Sequence, residues 1–521
     1  MKKNDYLLLT ATGAYSMLFF QQNAGINFLI FSVVLITILI IKNKHLLNHK
    51  KWLWSAALCL ISATSVFVHS SALAIIANII SLLLVSAFSF NIVTSSIFSF
   101  LFSCYTVISC MVYIIVDSIA RLQPRSEAIS SKRGYKVLAT FIVLILSILF
   151  LNLYQSSNPL FASNTKWINF DFISVTWIFF TLGGFLLMYS FLYHQTIKPI
   201  EVWENKLALQ NRVVQENESI GKHYETERFG GLLLFIVLNV MLIVLNVGDI
   251  QTLYFGGGLP KGVTHSDFVH NGVGVIIFSI IIATSLMLFL FRKEFISIKN
   301  NKALIACIYL WIGQNILMLS STAIRNQLYI HDYNFTYKRI GVYVWLLLAV
   351  IGLLIMFWKI YKKRSTWYLI KTNIAIWFTV LALSSLVNWD IFITRYNINN
   401  KPLKDVDFYY LFSLSDANLP DLIAISETSD FKKKYSLEKA LLEKYNKELS
   451  ELNTITSYRE NKRYKELQVL ISQHSNLFVR GNSYSDLLNN KLIHYLSDYT
   501  NDWRSYDLRD QNIINSIYIS K

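Results

Sequence analysis

Charge is what this chain has least of: Asp, Glu, Lys and Arg make up 15% of its 521 residues, where a soluble domain carries about a quarter. Gly231 to Val247 and Ala303 to Ala323 contain none of these four residue types. Familiar catalytic signatures are missing too. There is no His-Glu-x-x-His, no P-loop, no Cys-x-x-Cys and no Gly-x-Ser-x-Gly elbow. The chemistries that need those spacings are therefore not indicated, and no catalytic residue is assigned. Cys59, Cys104, Cys110 and Cys307 all lie in apolar runs. They read as small packing residues, with no disulfide framework and no metal-type pair.

What is present is apolar length. The composition is 54% hydrophobic with a mean hydropathy of +0.42. Apolar runs occupy approximately 6–20, 26–41, 52–70, 72–90, 92–116, 137–154, 172–193, 231–247, 268–291, 303–323, 340–359 and 366–387. A bilayer core of about 30 Å needs roughly 20 apolar residues per helix, and runs this numerous cannot all be buried in a soluble core. The expected fold is all-α: a polytopic transmembrane helix bundle of about 11–13 spans over residues 1–387. A small, mainly helical, soluble C-terminal domain follows over 388–521. Met1-Lys2-Lys3 and the run after it resemble a signal peptide, but the next run begins so soon that an uncleaved hairpin arm is expected.

The net charge of +16 suggests nucleic acid until it is located. Residues 388–521 hold 18 basic and 18 acidic residues, so the whole excess sits in the apolar portion. Basic loops between apolar helices mark the cytoplasmic side of a membrane, so the expected partner is the lipid bilayer and not nucleic acid. Loops 117–136, 194–230, 292–302 and 359–365 hold 18 Lys+Arg together, against 5 in 155–171, 248–267 and 324–339. That asymmetry puts the first set in the cytoplasm and the segment after Leu386 outside. The first half disagrees by one crossing, because 42–51 and 117–136 both look cytoplasmic and three runs lie between them. One of the three is expected to be a re-entrant or half-crossing segment, leaving eleven true spans.

Polar residues inside apolar runs carry the functional expectation. Gln314, Ser321 and Arg325 fall at i, i+7 and i+11, and Asn315, Thr322 and Asn326 repeat that spacing. Both sets return to nearly one helix face, giving a polar stripe that ends in an arginine. Asn239 and Asn246 are also seven apart, which suits interhelical hydrogen bonding. His265, Asp267 and His270 cluster before the 268–291 run. Two histidines five apart splay by about 140° on a helix, which argues against a zinc site, and no metal or cofactor is expected. Gly256-Gly257-Gly258 reads as a turn.

Several short elements resemble those of a bacterial family of multi-pass membrane proteins catalogued only as a domain of unknown function. Ser157-Asn158-Pro159-Leu160-Phe161, Tyr254 to Pro260 and Phe268-Val269-His270-Asn271-Gly272 are three of them. Arg325-Asn326-Gln327 and Asn334-Phe335-Thr336-Tyr337-Lys338-Arg339 follow, Asn334 standing where that family has glycine. Val387-Asn388-Trp389-Asp390, Arg395-Tyr396-Asn397, Leu414-Ser415-Asp416, Leu419-Pro420 and Asp502-Trp503-Arg504-Ser505 complete the set. The resemblance covers roughly residues 135–510. It implies a polytopic architecture and a bacterial inner membrane, and it carries no activity.

Most of these elements fall on the side assigned as external. His270, Gln314, Asn315, Arg325, Arg339, Asn388, Asp390 and Arg395 are the candidate site, either a polar outer-mouth pocket or a clamp holding the tail. Asp390 is expected to pair with Arg339 or Arg325. Two functions compete. One is a transporter or a lipid or envelope-precursor handling protein using that pocket. The other is a non-catalytic scaffold or signalling partner whose C-terminal domain binds another protein. A membrane-embedded transferase, needing Asp171 or Asp249, ranks below both.

Overall fold

The computed structural model describes residues 3–122, 174–209, 223–255, 302–362, 364–429, 431–432, 478–479, 482–499 and 502–519, with much of 143–165 and the single positions 282 and 447. His265, Asp267, His270, the glycine triplet and most of the 137–154 and 268–291 runs lie outside the described residues. The helices are α1 (Lys3–Phe19), α2 (Ile26–Lys42), α3 (Lys50–His69), α4 (Ala72–Phe90), α5 (Ser96–Leu122), α6 (Pro159–Asn164), α7 (Val175–Leu192) and α8 (Lys198–Leu209). They continue as α9 (His223–Asp249), α10 (Lys302–Tyr333), α11 (Tyr337–Tyr361), α12 (Thr366–Ser384), α13 (Trp389–Asn400), α14 (Phe408–Ser413), α15 (Leu419–Glu427), α16 (Tyr484–Asp498) and α17 (Leu508–Ile519). Two-residue strands Phe478–Val479 and Asn482–Ser483 form one small antiparallel hairpin. The fold is an all-α, polytopic helical bundle. Among the described residues, seven helices are long and apolar enough to cross a membrane, and two shorter apolar helices accompany them.

Helix starts follow local capping chemistry. Ser71, Ser174 and Asn388 accept hydrogen bonds from the amides of Ala74, Trp177 and Ile391. Each satisfies a donor that the first turn would leave bare.

The chain divides into two compact units. The first comprises Met1–Glu204, Phe378–Leu386 and Thr500–Arg509; the second comprises Asn205–Trp377, Val387–Tyr499 and Asp510–Lys521.

The first unit is built on α3 and α4. Buried Cys59, Ser62, Ala63 and Val66 meet Ala74, Ala77, Asn78 and Ser81, small residues that let helix backbones approach closely in lipid. One end of this unit gathers the α1–α2 turn, the Ser70–Ser71 turn and residues 502–507. Ser70 Oγ donates to Ala24 O at 2.7 Å, Asn23 N to Ser505 Oγ at 2.9 Å and Ile26 N to Tyr506 O at 2.8 Å. Gly25 is extended, so its constraint is contact: a Cβ there would lie 2.6 Å from Ser505 and Tyr506 backbone atoms. The other end gathers the basic 42–51 stretch, residues 91–95 and residues 193–204. Lys51 Nζ donates to the carbonyls of Ile92, Val93 and Thr94, and Asn91 Nδ2 donates to Glu201 Oε1 at 2.6 Å.

α5 keeps to one end of the first unit. It starts at this second end, where Ser95 N donates to Glu204 Oε1 at 2.7 Å. Further along, Thr106 exchanges hydrogen bonds with the Gln195 backbone, and Asp117 accepts from the Tyr189 hydroxyl. Ser96 to Asp117 is about 32 Å of helix, while Tyr189 sits only about 5 Å before the end of α7. A helix standing upright beside α7 would carry Asp117 to the opposite end. α5 instead runs obliquely, with both ends of that stretch near the end it started from. Its outer face, Leu101, Ile108, Met111, Val112, Ile115 and Val116, is apolar and exposed.

In the second unit α9, α10 and α11 share a core of Phe235, Trp311, Leu319, Leu353 and Met356. A separate core joins Ile330, Phe335 and Ile340 to Ile393, Phe408, Leu411, Leu422 and Tyr484. The 393–431 stretch and Tyr484 are thus packed onto the α10–α11 turn by apolar burial before any polar bond is counted.

Candidate functional site

Two polar groupings emerge in the second unit. The first lies between α9 and α10. Gln314 Nε2 donates to Asn239 Oδ1 at 2.6 Å, Asn239 Nδ2 to Cys307 O at 2.9 Å, and Asn246 Nδ2 to Gln314 O at 3.2 Å. Higher up, the Arg325 guanidinium bonds the Asp249 carboxylate, with side chains 7% and 8% exposed. A charge this buried in a membrane-spanning helix is retained only with a partner close by. A π-turn, Ile250–Tyr254, follows Asp249 immediately. Asn315 bonds Trp311 O within its own helix at 2.7 Å.

The second grouping ties the α10–α11 turn to the later segment. Asn334 occupies the left-handed region at φ 73°, a conformation that glycine takes freely and asparagine tolerates. That accounts for asparagine where the resembling family has glycine. Arg339 bonds the carbonyls of Tyr333 and Asn334 and lies over the Tyr329 ring, 4.3 Å from its centroid. Asn397 clasps Phe335 through both its backbone N–H and its carbonyl, at 2.6 and 2.9 Å. Asp390 accepts from the Tyr337 hydroxyl at 2.8 Å and from the Ser415 hydroxyl. Lys491 on α16 donates to Leu414 O at 2.7 Å, Asn418 Oδ1 at 3.0 Å and Phe412 O at 3.3 Å. Burial pushes its ammonium down to about 8. Arg395, largely exposed, bonds Asp421 at 2.9 Å.

The structure therefore divides the residues singled out from the sequence. Gln314 and Arg325 belong to the α9–α10 seam; Asp390 bridges the tail contact through Tyr337, Arg339 bonds within the α10–α11 turn, and Asn388 and Arg395 bond within the tail; His270 lies outside the described residues. The expected pairing of Asp390 with an arginine is replaced by two hydroxyls, because Arg325 meets Asp249 and Arg339 turns to backbone carbonyls. α10 continues past Arg325 to Tyr333. Tyr337, Ser415 and Lys491 were not singled out as site residues, and no spacing relates three residues on separate elements. A shallow groove of about 330 Å³ runs along the outer face of α13, lined by Asn388, Ile391, Phe392, Arg395, Tyr396 and Asn399 among others.

In the first unit, Arg504 is held by Asp502 at 2.7 Å and donates to Met17 O at 2.8 Å. Ser505 donates to Gln22 Oε1 at 2.8 Å. The Arg504 guanidinium draws the Asp502 carboxyl down to about 2.

Long apolar helices, an intramembrane ion pair and small-residue helix contacts define a multi-pass membrane protein. Residues 7–425 match the family model described as Domain of unknown function (DUF4153), and the chain belongs to that family. The match takes in the first 130 or so residues, which the sequence resemblance left out, and ends before the Asp502–Ser505 element. No curated protein and no solved structure matches the chain.

Proposed function

We propose that this protein is a non-catalytic scaffold of a bacterial cytoplasmic membrane, holding its 388–521 segment on the external face for a protein partner. The observation that carries this reading is the use of the charged and polar groups at the span ends. Arg325 is spent on Asp249, Arg339 on carbonyls, and Asp390 on two hydroxyls that fasten the tail. The bonds that reach across to the segment are Tyr337 to Asp390, Asn397 to the Phe335 backbone and Asn334 to Asp405 O, and these clamp it to the α10–α11 turn.

Lys42, Lys44, Lys50 and Lys51 lie at the end of the first unit opposite residues 502–507, and the positive-inside rule assigns that basic end to the cytoplasm. With α5 returning to the cytoplasmic end, the twelve apolar runs of the sequence leave eleven to be counted as crossings. These eleven crossings leave the tail external.

Ser497→Cys, placed in α16 of a chain whose four native cysteines are replaced, tests the sidedness. Labelling of intact spheroplasts by an impermeant thiol reagent is expected, and labelling only after lysis would reverse the assignment. Transport or lipid handling is the second reading, favoured by the α13 groove. Its Arg395 and asparagines, beside Phe392 and Tyr396, suit an anionic lipid headgroup on the helix that follows the α12 span. Arg395→Glu would then reduce retention of anionic lipid on the purified protein, and unchanged retention would remove this reading.

A further inference from the structure

The α9–α10 seam buries oxygens that no donor of the described residues meets. Asn246 Oδ1, Gln314 Oε1, Asp249 Oδ2 and Ser321 Oγ are all buried and make no hydrogen bond among the described residues. Asn246 is 4% exposed, Asp249 6%, Gln314 9% and Ser321 fully buried. Gln314, Met318, Ser321 and Arg325 stand at i, i+4, i+7 and i+11 on α10, which is one face. Asn246 and Asp249 are one turn apart on the facing helix, and Asn246 Nδ2 already bonds the Gln314 carbonyl. These four oxygens line one stretch of one interface, ending at the Asp249–Arg325 pair.

In hydrocarbon, groups left in this way are untenable without a partner, because no lipid atom donates a hydrogen bond. A serine hydroxyl in a helix ordinarily donates back to a carbonyl one turn earlier, as Thr322 does to Met318 O here, and Ser321 does not. The missing partner must therefore donate to acceptors. A metal cation would satisfy oxygens too, but the Arg325 guanidinium beside the same seam repels it. An anionic group fits worse, since the unpartnered atoms named here are oxygens. Water fits both conditions: it donates twice and carries no charge, and buried water typically takes about three polar partners.

We infer that the α9–α10 seam is a hydrated site, in which water molecules bind Asn246 Oδ1, Gln314 Oε1, Ser321 Oγ and Asp249 Oδ2 and enter from the Asp249–Arg325 end. The inference is independent of the scaffold reading, since it concerns the interior of the bundle. It makes the ion pair a wet one, reachable by protons from the external phase.

Met318 and Met356 provide a built-in comparison, being equally buried at 2% in the same apolar core. Hydroxyl radicals generated by X-rays from bound water oxidise the nearest thioether, whatever its exposure to bulk solvent. In the full chain in detergent micelles, Met318 is expected to oxidise several-fold faster than Met356, with the oxygen drawn from isotopically labelled water. Ser321→Val and Asn246→Leu should each bring Met318 toward the Met356 rate. Equal rates in the unaltered protein, which need no variant to fold, would overturn the inference. So would a Met318 rate that both variants leave unchanged.

Discussion

The α3–α4 contact and the α9–α10 contact both join two apolar helices, yet they use opposite means. Most of the buried residues of α3 and α4 are alanine, serine and cysteine, with a single amide among them. Asn78 is fully employed there, bonding Ser32, Ser62 and the Cys59 carbonyl. Between α9 and α10 the buried residues include Asn239, Asn246, Asp249, Gln314 and Arg325 beside the apolar core, with oxygens left over. Small-residue packing suffices to hold helices together in lipid, and the average interhelical hydrogen bond adds only about 0.6 kcal/mol. A seam carrying a full ion pair is therefore not explained by adhesion. The first contact reads as packing alone, the second as a place where polarity is kept for a purpose.

The largest effect that separates the two contacts comes from Asp249→Leu. It leaves Arg325 buried without its carboxylate, and breaking a buried pair costs about 3–5 kcal/mol. The expected readout is a steep fall in the thermal midpoint of the full chain in micelles. Gly25→Ala probes the first unit by volume instead of charge. Its Cβ would collide with the Ser505–Tyr506 backbone, and overpacking costs about 1–3 kcal/mol. Proteolysis after Thr500 should accelerate, while the α3–α4 packing stays protected.

Lys491 sharpens the comparison through pH. Its folded value of about 8 lies below the 10.5 of the free side chain, so between those pH values the unfolded state binds more protons. Stability of the tail packing should rise with pH across that window, and the burial penalty should be fully present below about pH 8. Lys491→Met should flatten the profile. Asn78→Leu removes the one amide of the α3–α4 contact, with an expected loss of about 1 kcal/mol. Arg395→Ala is the smallest, within about 1 kcal/mol, because that ion pair is largely in solvent.

Much of this pattern was legible in the order of residues. The sevenfold spacing of Asn239 and Asn246, and of Gln314, Ser321 and Arg325, marks two polar faces because helices repeat every 3.6 residues. Nothing in a single chain says that those faces meet each other. Asp249, the partner of Arg325, therefore had to come from the structure. Helix ends were harder, since α10 runs ten residues past its apolar stretch once Arg325 and Asn326 find bonds inside the protein. The charge-count conflict in the first half was visible in the sequence, whereas the oblique course of α5 appears only through the Tyr189–Asp117 bond. The Tyr337–Asp390–Ser415 contact joins residues too far apart in sequence for any spacing to announce it.

A double-mutant cycle on Asp249 and Arg325, read from chemical unfolding of the full chain in micelles, tests the ion pair of the α9–α10 seam most directly. Asp249→Leu and Arg325→Met should each destabilise strongly, while the double variant recovers most of the loss, giving a coupling energy above about 2 kcal/mol. Additive losses in the double variant would mean that the two side chains act separately, and the ion pair would no longer account for the seam.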